Sequence, residues 1–273
     1  MRRVAVSGPF DDLRSGQVRF LEEAARLGRV EVHLWTDALI LAGTKNPPKF
    51  SCDERVYMLR SLRFVSRVTP LDEFPPSLPP GQDSGSGPGM WVTDEAGATR
   101  EIEAYAESRG LQYRVLDAAT LKGFPPLPPL AVDERSSRKR VVVTGCFDWF
   151  HSGHIRFFEE ASDFGDLYVG VGSDANLRRL KGEGHPLFSQ EERAYMAGAV
   201  RSVKRAFIAT GEGWMDAEPE IAVIKPHVYV VNEDGDRPEK RAFCRARGIE
   251  YVVLRRVPRP GLPRRDSTLL RGF

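Results

Sequence analysis

"RVVVTGCFDWFHSGHIRFFEEASDFGDLYVGVGS", residues 140–173, holds a complete supersecondary unit. A β-branched run ends at Gly145, "HIRFFEEASDFG" then spaces its apolar residues as a helix does, and "DLYVGVGS" returns to an apolar strand. Downstream, "SQEERAYMAGAV" opens a helix with a capping box of Ser189 and Glu192, and "PHVYVVN", "PEKRAFCRARG" and "IEYVVLR" continue as strand, helix, strand. Alternation of this kind predicts a parallel sheet covered on both faces, with ligands bound beyond the carboxyl ends of its strands.

The unit occurs twice. A shift of 137 positions, which carries Gly8 onto Gly145, also superposes Phe10, Asp11, Ser15, Gly16, Arg19, Phe20, Glu22, Glu23, Ala24 and Gly28 on identical residues up to Gly165. One further position of shift brings Pro48, Phe50, Ser51, Glu54, Arg55, Tyr57 and Met58 onto identical residues from Pro186 to Met196. A period of this length is too long for a solenoid and right for a tandem pair of domains. The expected fold class is therefore α/β, with two tandem Rossmann-like parallel-sheet domains over residues 1–123 and 140–273. A Pro-rich, then charged linker is expected over 124–139, and a mobile, low-complexity loop from Pro70 to Gly89.

Composition narrows the function classes. The 273 residues are 41% hydrophobic and 29% charged, as in a globular protein with a sizeable core. With 40 Lys and Arg against 38 Asp and Glu, the net charge of +2 offers no global field for nucleic acid or a membrane. The N-terminal apolar run is too short for a signal peptide and no stretch approaches a membrane span, so the expected location is cytoplasmic. Cys52, Cys146 and Cys244 lie far apart without CxxC spacing, which argues for reduced thiols and against a cysteine metal site.

The chemistry concentrates in "GCFDWFHSGH", residues 145–154, at the end of the first strand and the start of its helix. A helix N-terminus offers unpaired N–H groups and positive potential to a phosphate. His151 and His154, three apart across Gly153, can face one side of that turn and stabilise charge at an attacked phosphorus without a covalent intermediate. Cys146 reads as a small residue at a strand end rather than a nucleophile. The matching stretch of the first half, "GPFDDLRSGQ", has Arg14 and Gln17 in place of the histidines, and no lysine stands at the counterpart of Lys181. That half is expected to be degenerate and retained for its core.

These residues, in this order, resemble the cytidylyltransferase family of nucleotidyltransferases, the HxGH group that includes choline-phosphate, ethanolamine-phosphate and glycerol-phosphate cytidylyltransferases. The resemblance implies that Gly145, Cys146, Phe147, Asp148, His151, Gly153 and His154 bind the triphosphate, with Lys181 of "RRLKGEGHP" on the α-phosphate. It further implies nucleotide contacts for Arg193 of "EER" and for Asn232 and Asp236 of "VVNEDGD", and a place for Trp214 beside the acceptor phosphate. His151, His154 and Lys181 are the catalytic residues on this reading. The end of the chain, "RPGLPRRDSTLLRGF", departs from the family pattern. Ser267 and Thr268 fit its terminal motif, while the family's arginine falls on Arg259, Arg264 or Arg265, and Asp266 would repel a triphosphate unless it caps the last helix.

The implied reaction transfers CMP from CTP to a small phosphorylated or phosphonylated alcohol or amine and releases pyrophosphate. Magnesium would accompany the triphosphate, and no protein-held metal is expected. Sugar-phosphate adenylyltransferases of the same superfamily also carry "GCFD" and "LKG" stretches, so ATP with a sugar phosphate is an alternative. A nucleotide sensor or scaffold without turnover is another. The expected partners are the nucleotide and the phosphorylated acceptor, with neither nucleic acid nor membrane. The two halves would form an intramolecular pseudo-dimer, with homodimerisation left open.

Overall fold

The computed structural model describes residues 2–74 and 89–270, and the chain divides into two units, Met1–Gly123 and Phe124–Phe273. In the first, β1 (Arg3–Gly8), β2 (Arg29–Trp35), β3 (Val65–Leu71), β4 (Met90–Asp94) and β5 (Gln112–Leu116) form a sheet in the order β3-β2-β1-β4-β5, every pair parallel. In the second, β6 (Arg140–Gly145), β7 (Asp166–Val171), β8 (Val203–Ile208), β9 (Val228–Asn232) and β10 (Glu250–Leu254) form the order β10-β9-β6-β7-β8, again all parallel. The two topologies are the same. Both are Rossmann-like α/β sheets, and even an irregularity is shared. The register shifts between Val30 and Glu31 where β2 meets β3, and between Leu167 and Tyr168 where β7 meets β8.

Local sequence accounts for these elements. Every residue of β7 is buried, as a central parallel strand covered on both faces requires. The helix Ser152–Ser162 buries Ile155, Phe157, Phe158 and Ala161 against the sheet, and Arg156 and Glu160 pair at 2.6 Å on its outer side. Gly165 then turns the chain so closely past the preceding strand that a Cβ would collide with the carbonyl of Lys139, and Gly28 meets Arg2 in the same way. This close approach explains a glycine at both copies. A core gathers Val142, Tyr168, Phe207 and Tyr229 from β6, β7, β8 and β9 with Ile221 and Phe243 from helices packed against the sheet. Each such side chain removed from water contributes about 1.5–3 kcal/mol.

Residues 124–139 carry no helix or strand, and they pack on the second unit. Phe124 stacks on Tyr195 at 5.3 Å, Leu130 rests on the core, and Asp133 pairs with Lys204 at 3.1 Å. Most of the expected loop from Pro70 to Gly89 lies outside the described residues. No helix among the described residues is long and apolar enough to cross a membrane.

The order of the second sheet places its topological switch point between β6 and β9. From β6 the chain builds outward to β7 and β8, then crosses back to β9 and β10 on the other side. Crevices at such points are where open α/β sheets bind ligands.

Candidate active site

β6 ends in a loop held in an unusual conformation. Phe147 and Trp149 both have left-handed backbones, with φ of 51° and 47°. Strain of this kind costs on the order of 1–3 kcal/mol per residue and persists only where its surroundings over-determine it. Asp148 supplies the fixing contacts, because its carboxylate accepts the backbone N–H groups of Leu187 at 3.0 Å and Phe188 at 3.1 Å. Gly145 leaves room for the Phe147 ring, which a Cβ there would meet at 2.8 Å. The loop thereby delivers His151 to the N-cap of the helix Ser152–Ser162.

His151 is fully buried, and its Nδ1 accepts the N–H of Gly153 at 3.0 Å. An accepting Nδ1 puts the proton of the neutral ring on Nε2. That Nε2 is itself buried without a partner among the described residues, as is Nδ1 of His154. The two imidazoles stack with centroids 3.9 Å apart, and Phe147 meets His154 edge-on at 5.4 Å. Burial, helped by the nearby charge of Arg256, pushes the His151 pKa down to about 3. Burial and the neighbouring His151 hold His154 well below the ordinary histidine value. Both rings are thus neutral near pH 7. They offer a phosphate hydrogen bonds and polarity rather than two fixed charges.

The histidines line a cavity of about 370 Å³ over the carboxyl ends of the strands. Gly145, Cys146, Phe147, Asp148, Gly153, Lys181, Trp214, Asn232 and Ser267 also line it. Lys181 ends the helix Asp174–Lys181, and Gly182 after it takes a positive φ of 86° that favours glycine while its N–H donates to the carbonyl of Arg178. Trp214 sits on a short 3-10 turn, Gly213–Met215, which Asn176 fixes by gripping the N–H of Gly213 at 2.8 Å and its carbonyl at 3.0 Å. Burial pushes the Cys146 thiol above its usual pKa, so it is no activated nucleophile. No group of three His, Cys, Asp or Glu among the described residues is disposed to hold a metal ion.

Known proteins resemble the second unit in sequence. A sequence profile described as cytidylyltransferase-like matches residues 142–252. The second unit is a cytidylyltransferase-like domain. Among curated relatives, the bifunctional protein HldE of Aliarcobacter butzleri is 32% identical over 148 residues, covering 54% of this chain and 30% of that protein. HldE of Geobacter sulfurreducens is 46% identical over 95 residues, covering 34% of this chain and 19% of that protein. The chain thus spans less than a third of the length of these relatives.

Several residues of the cytidylyltransferase-like domain stand elsewhere than the sequence suggests. Arg193 does not reach the cavity. It is 1% exposed, and its guanidinium donates to the carbonyls of Phe188 (2.9 Å), Cys146 (2.7 Å) and Gly172 (2.8 Å) and to Asp174 (2.7 Å). It ties the β6 and β7 loops together. Asp236 also lies outside the cavity, paired with Arg241 at 2.5 Å and accepting from the Tyr251 hydroxyl at 3.0 Å. Arg259 faces Glu159 at 3.9 Å, and Arg264 borders a separate small cleft beside Arg156. Among the arginines near the end of the chain it is Arg256 that lines the cavity, bound to Asp234 at 2.8 Å, to Asp266 at 3.4 Å and to the carbonyl of Arg265 at 2.9 Å. Pairing with Arg256 offsets the repulsion expected of Asp266. Thr268 lies in the last helix, Ser267–Leu270, and its side chain is outside the described residues.

Thr144, Asp216, Arg237, Lys240 and Arg256 line the cavity without having been singled out in the sequence. Only Arg256 carried a signal, as one of the basic run 255–265.

The first unit shows what the same loop becomes without the chemistry. Phe10 and Asp12 repeat the left-handed pair at φ 41° and 51°, and Asp11 accepts from the N–H groups of Lys49 and Phe50. Arg55 reproduces the bonds of Arg193, donating to Phe50, Pro9 and Trp35 carbonyls and to Asp37. The phosphate-binding charges, however, are spent locally. Arg14 and Lys49 both pair with Asp12, at 2.9 and 3.4 Å. Thr44 ends the helix that corresponds to Asp174–Lys181, and the next residue, Lys45, turns its ammonium onto the carbonyl of Ala42 at 2.9 Å.

Proposed function

We propose that the chain is a nucleotidyltransferase that moves AMP from ATP to a sugar phosphate and releases pyrophosphate. The observation that carries the transfer chemistry is the stacked, neutral imidazole pair at a helix N-terminus, with Nε2 of His151 and Nδ1 of His154 buried beside the cavity and unpartnered among the described residues. An oxygen of the acceptor phosphate attacks the α-phosphorus in line. The new P–O bond forms as the bond to the β-phosphate bridge breaks, and the electron pair departs on pyrophosphate. The histidine N–H groups, the helix N-terminus and Lys181 meet the charge that spreads over the phosphoryl oxygens, and no protein atom becomes covalently attached. A magnesium ion accompanying the triphosphate would be held by phosphate oxygens and water and would neutralise part of the charge.

Two observations favour a sugar phosphate with ATP over the CTP and phospho-alcohol reading. One is the kinship with the bifunctional HldE proteins. The other is the charge beside Trp214, whose ring is already covered by the Arg237 guanidinium at 4.8 Å, with Lys240 on the same helix. An acceptor bearing its own ammonium, as choline or ethanolamine phosphate does, would meet two cations there. The test is pyrophosphate release with ATP and CTP against a panel of sugar phosphates, choline phosphate, ethanolamine phosphate and glycerol phosphate. The expected result is the highest kcat/KM with ATP and a sugar phosphate. Equal or better turnover with CTP and a phospho-alcohol restores the other reading, and no turnover with any pair favours a sensor.

A further inference from the structure

The cavity has a second cationic side, which the chemistry of the triphosphate leaves unused. Lys240, on the helix Pro238–Ala246, lines the cavity and is 7% exposed. Its ammonium makes one hydrogen bond to a described residue, a long one of 3.4 Å to Thr144 Oγ1, and lies 5.8 Å from the centre of the Tyr229 ring. Thr144 is a weak partner, since its hydroxyl is already engaged with the Tyr229 hydroxyl at 2.6 Å. No carboxylate of a described residue stands within 4.0 Å of the ammonium. Asp216 acts on it only through space, from beyond that distance, and a buried cation so weakly compensated is costly to the fold. Three residues earlier, Arg237 holds its guanidinium over Trp214 on the same cavity wall.

These cations come from the β9 side of the switch point. His151 and His154 come from the helix after β6, and Lys181 from the helix after β7. Two cationic sets in one cavity match two anionic substrates. Resting on the transfer reaction above, we propose that Lys240, supported by Arg237, anchors the phosphate of the acceptor, while Asp216 and Trp214 receive the hydroxyl-bearing body of a sugar. Asp216 is 9% exposed, lines the cavity, and takes a hydrogen bond from Asn176 at 3.1 Å, which leaves its carboxylate further capacity for a sugar hydroxyl. Lys240 transfers no proton. It holds the non-attacking oxygens and reduces the repulsion between the acceptor phosphate and the triphosphate as they approach.

Lys240→Met removes the charge and keeps the apolar stem. It is expected to raise the KM of the acceptor tenfold or more, leave the KM of ATP within twofold, and raise or hold the thermal midpoint, because an unpaired buried charge is lost. Lys240→Arg should recover most of the acceptor affinity. A lysine that served only the fold would instead lower the midpoint in Lys240→Met. An unchanged acceptor KM, or an equal rise for ATP, overturns the proposal. Should Lys240→Met not fold, Arg237→Met is read for the same split between the two KM values. A second arm needs no turnover. Inorganic phosphate is titrated, with ³¹P NMR detection, into protein saturated with magnesium and α,β-methylene ATP. The wild type should bind it and Lys240→Met should not, whereas equal binding refutes the anchor. If phosphate binds through Lys240 but no sugar phosphate is ever turned over, the reaction proposed above fails and the anion site stands.

Discussion

Acidification from pH 7.5 to pH 5 should destabilise the second unit through His151. The ring is neutral in the fold, with a pKa near 3, and in the unfolded chain it returns to the ordinary value of 6.5. Its folded pKa is lowered, so between those two values the unfolded state binds the extra proton. The stability this neutral ring confers is fully present above pH 6.5. It is lost progressively as pH falls through 6.5 toward 3, at up to about 1.4 kcal/mol per pH unit. At pH 5 the loss amounts to roughly 2 kcal/mol, with a contribution of the same sign from His154. His33 in the first unit is also lowered by burial, so the informative comparison is between proteins rather than between pH values alone. Urea unfolding at pH 7.5, 6.5, 5.5 and 5 is measured for the wild type and His151→Gln, which keeps a buried polar group and does not titrate. The wild type should lose on the order of 2 kcal/mol more than the variant over this range. Parallel curves for the two proteins would show that His151 is not held neutral, and the description of the imidazole pair as uncharged donors would be wrong.

Three further outcomes are expected. His154→Ala should lower kcat by on the order of 10² or more with a smaller change in nucleotide affinity, since a positioned donor acts mainly on the transition state; kcat within threefold of wild type removes the ring from the mechanism. Arg193→Met should destabilise the second unit by on the order of 3 kcal/mol in urea unfolding, because the carbonyls of Phe188, Cys146 and Gly172 lose the buried donor they share, and Arg55→Met should do the same to the first, where it serves the carbonyls of Phe50, Pro9 and Trp35; a folded Arg193→Met protein of normal stability that has lost only nucleotide affinity would return Arg193 to the binding residues. Calorimetry with magnesium and α,β-methylene ATP should count one site per chain, absent in His151→Ala/His154→Ala, because the first unit spends Arg14, Lys45 and Lys49 on its own groups; two equivalent sites would contradict this.

Much of this protein was legible because its decisive signals are local. Strand and helix periods show within single segments, and the close backbone approach at Gly28 and Gly165 demands the same residue in both copies. The α/β class and the placement of "GCFDWFHSGH" at a strand end followed from neighbouring residues alone, and the duplication from matching one half of the sequence against the other. The resemblance to the cytidylyltransferase family rested on the same motifs. Arg193 marks the limit of that kind of reading. Its motif has the right spacing, yet the same arginine recurs as Arg55 in the half that lost the histidines, which is what a structural tie would do. The repeat held that information, and only the hydrogen bonds revealed it.

The remainder was decided by contacts between distant segments. Lys240 in "PEKRAFCRARG" is one cation among several on an amphipathic helix, and nothing in its neighbours distinguishes it from Lys204 or Arg245 on the surface. It becomes a cavity residue because β9 pairs with β6, across the switch point, and carries the following helix to Thr144. Arg256 stands out from Arg259 and Arg264 only because Asp234 and the carbonyl of Arg265 draw it inward at the end of β10. A side chain's charge is written in the sequence, whereas whether that charge is buried, paired or turned toward a ligand depends on which strands lie side by side. Parallel pairing joins strands far apart in the chain, so this information exists only once the sheet has formed.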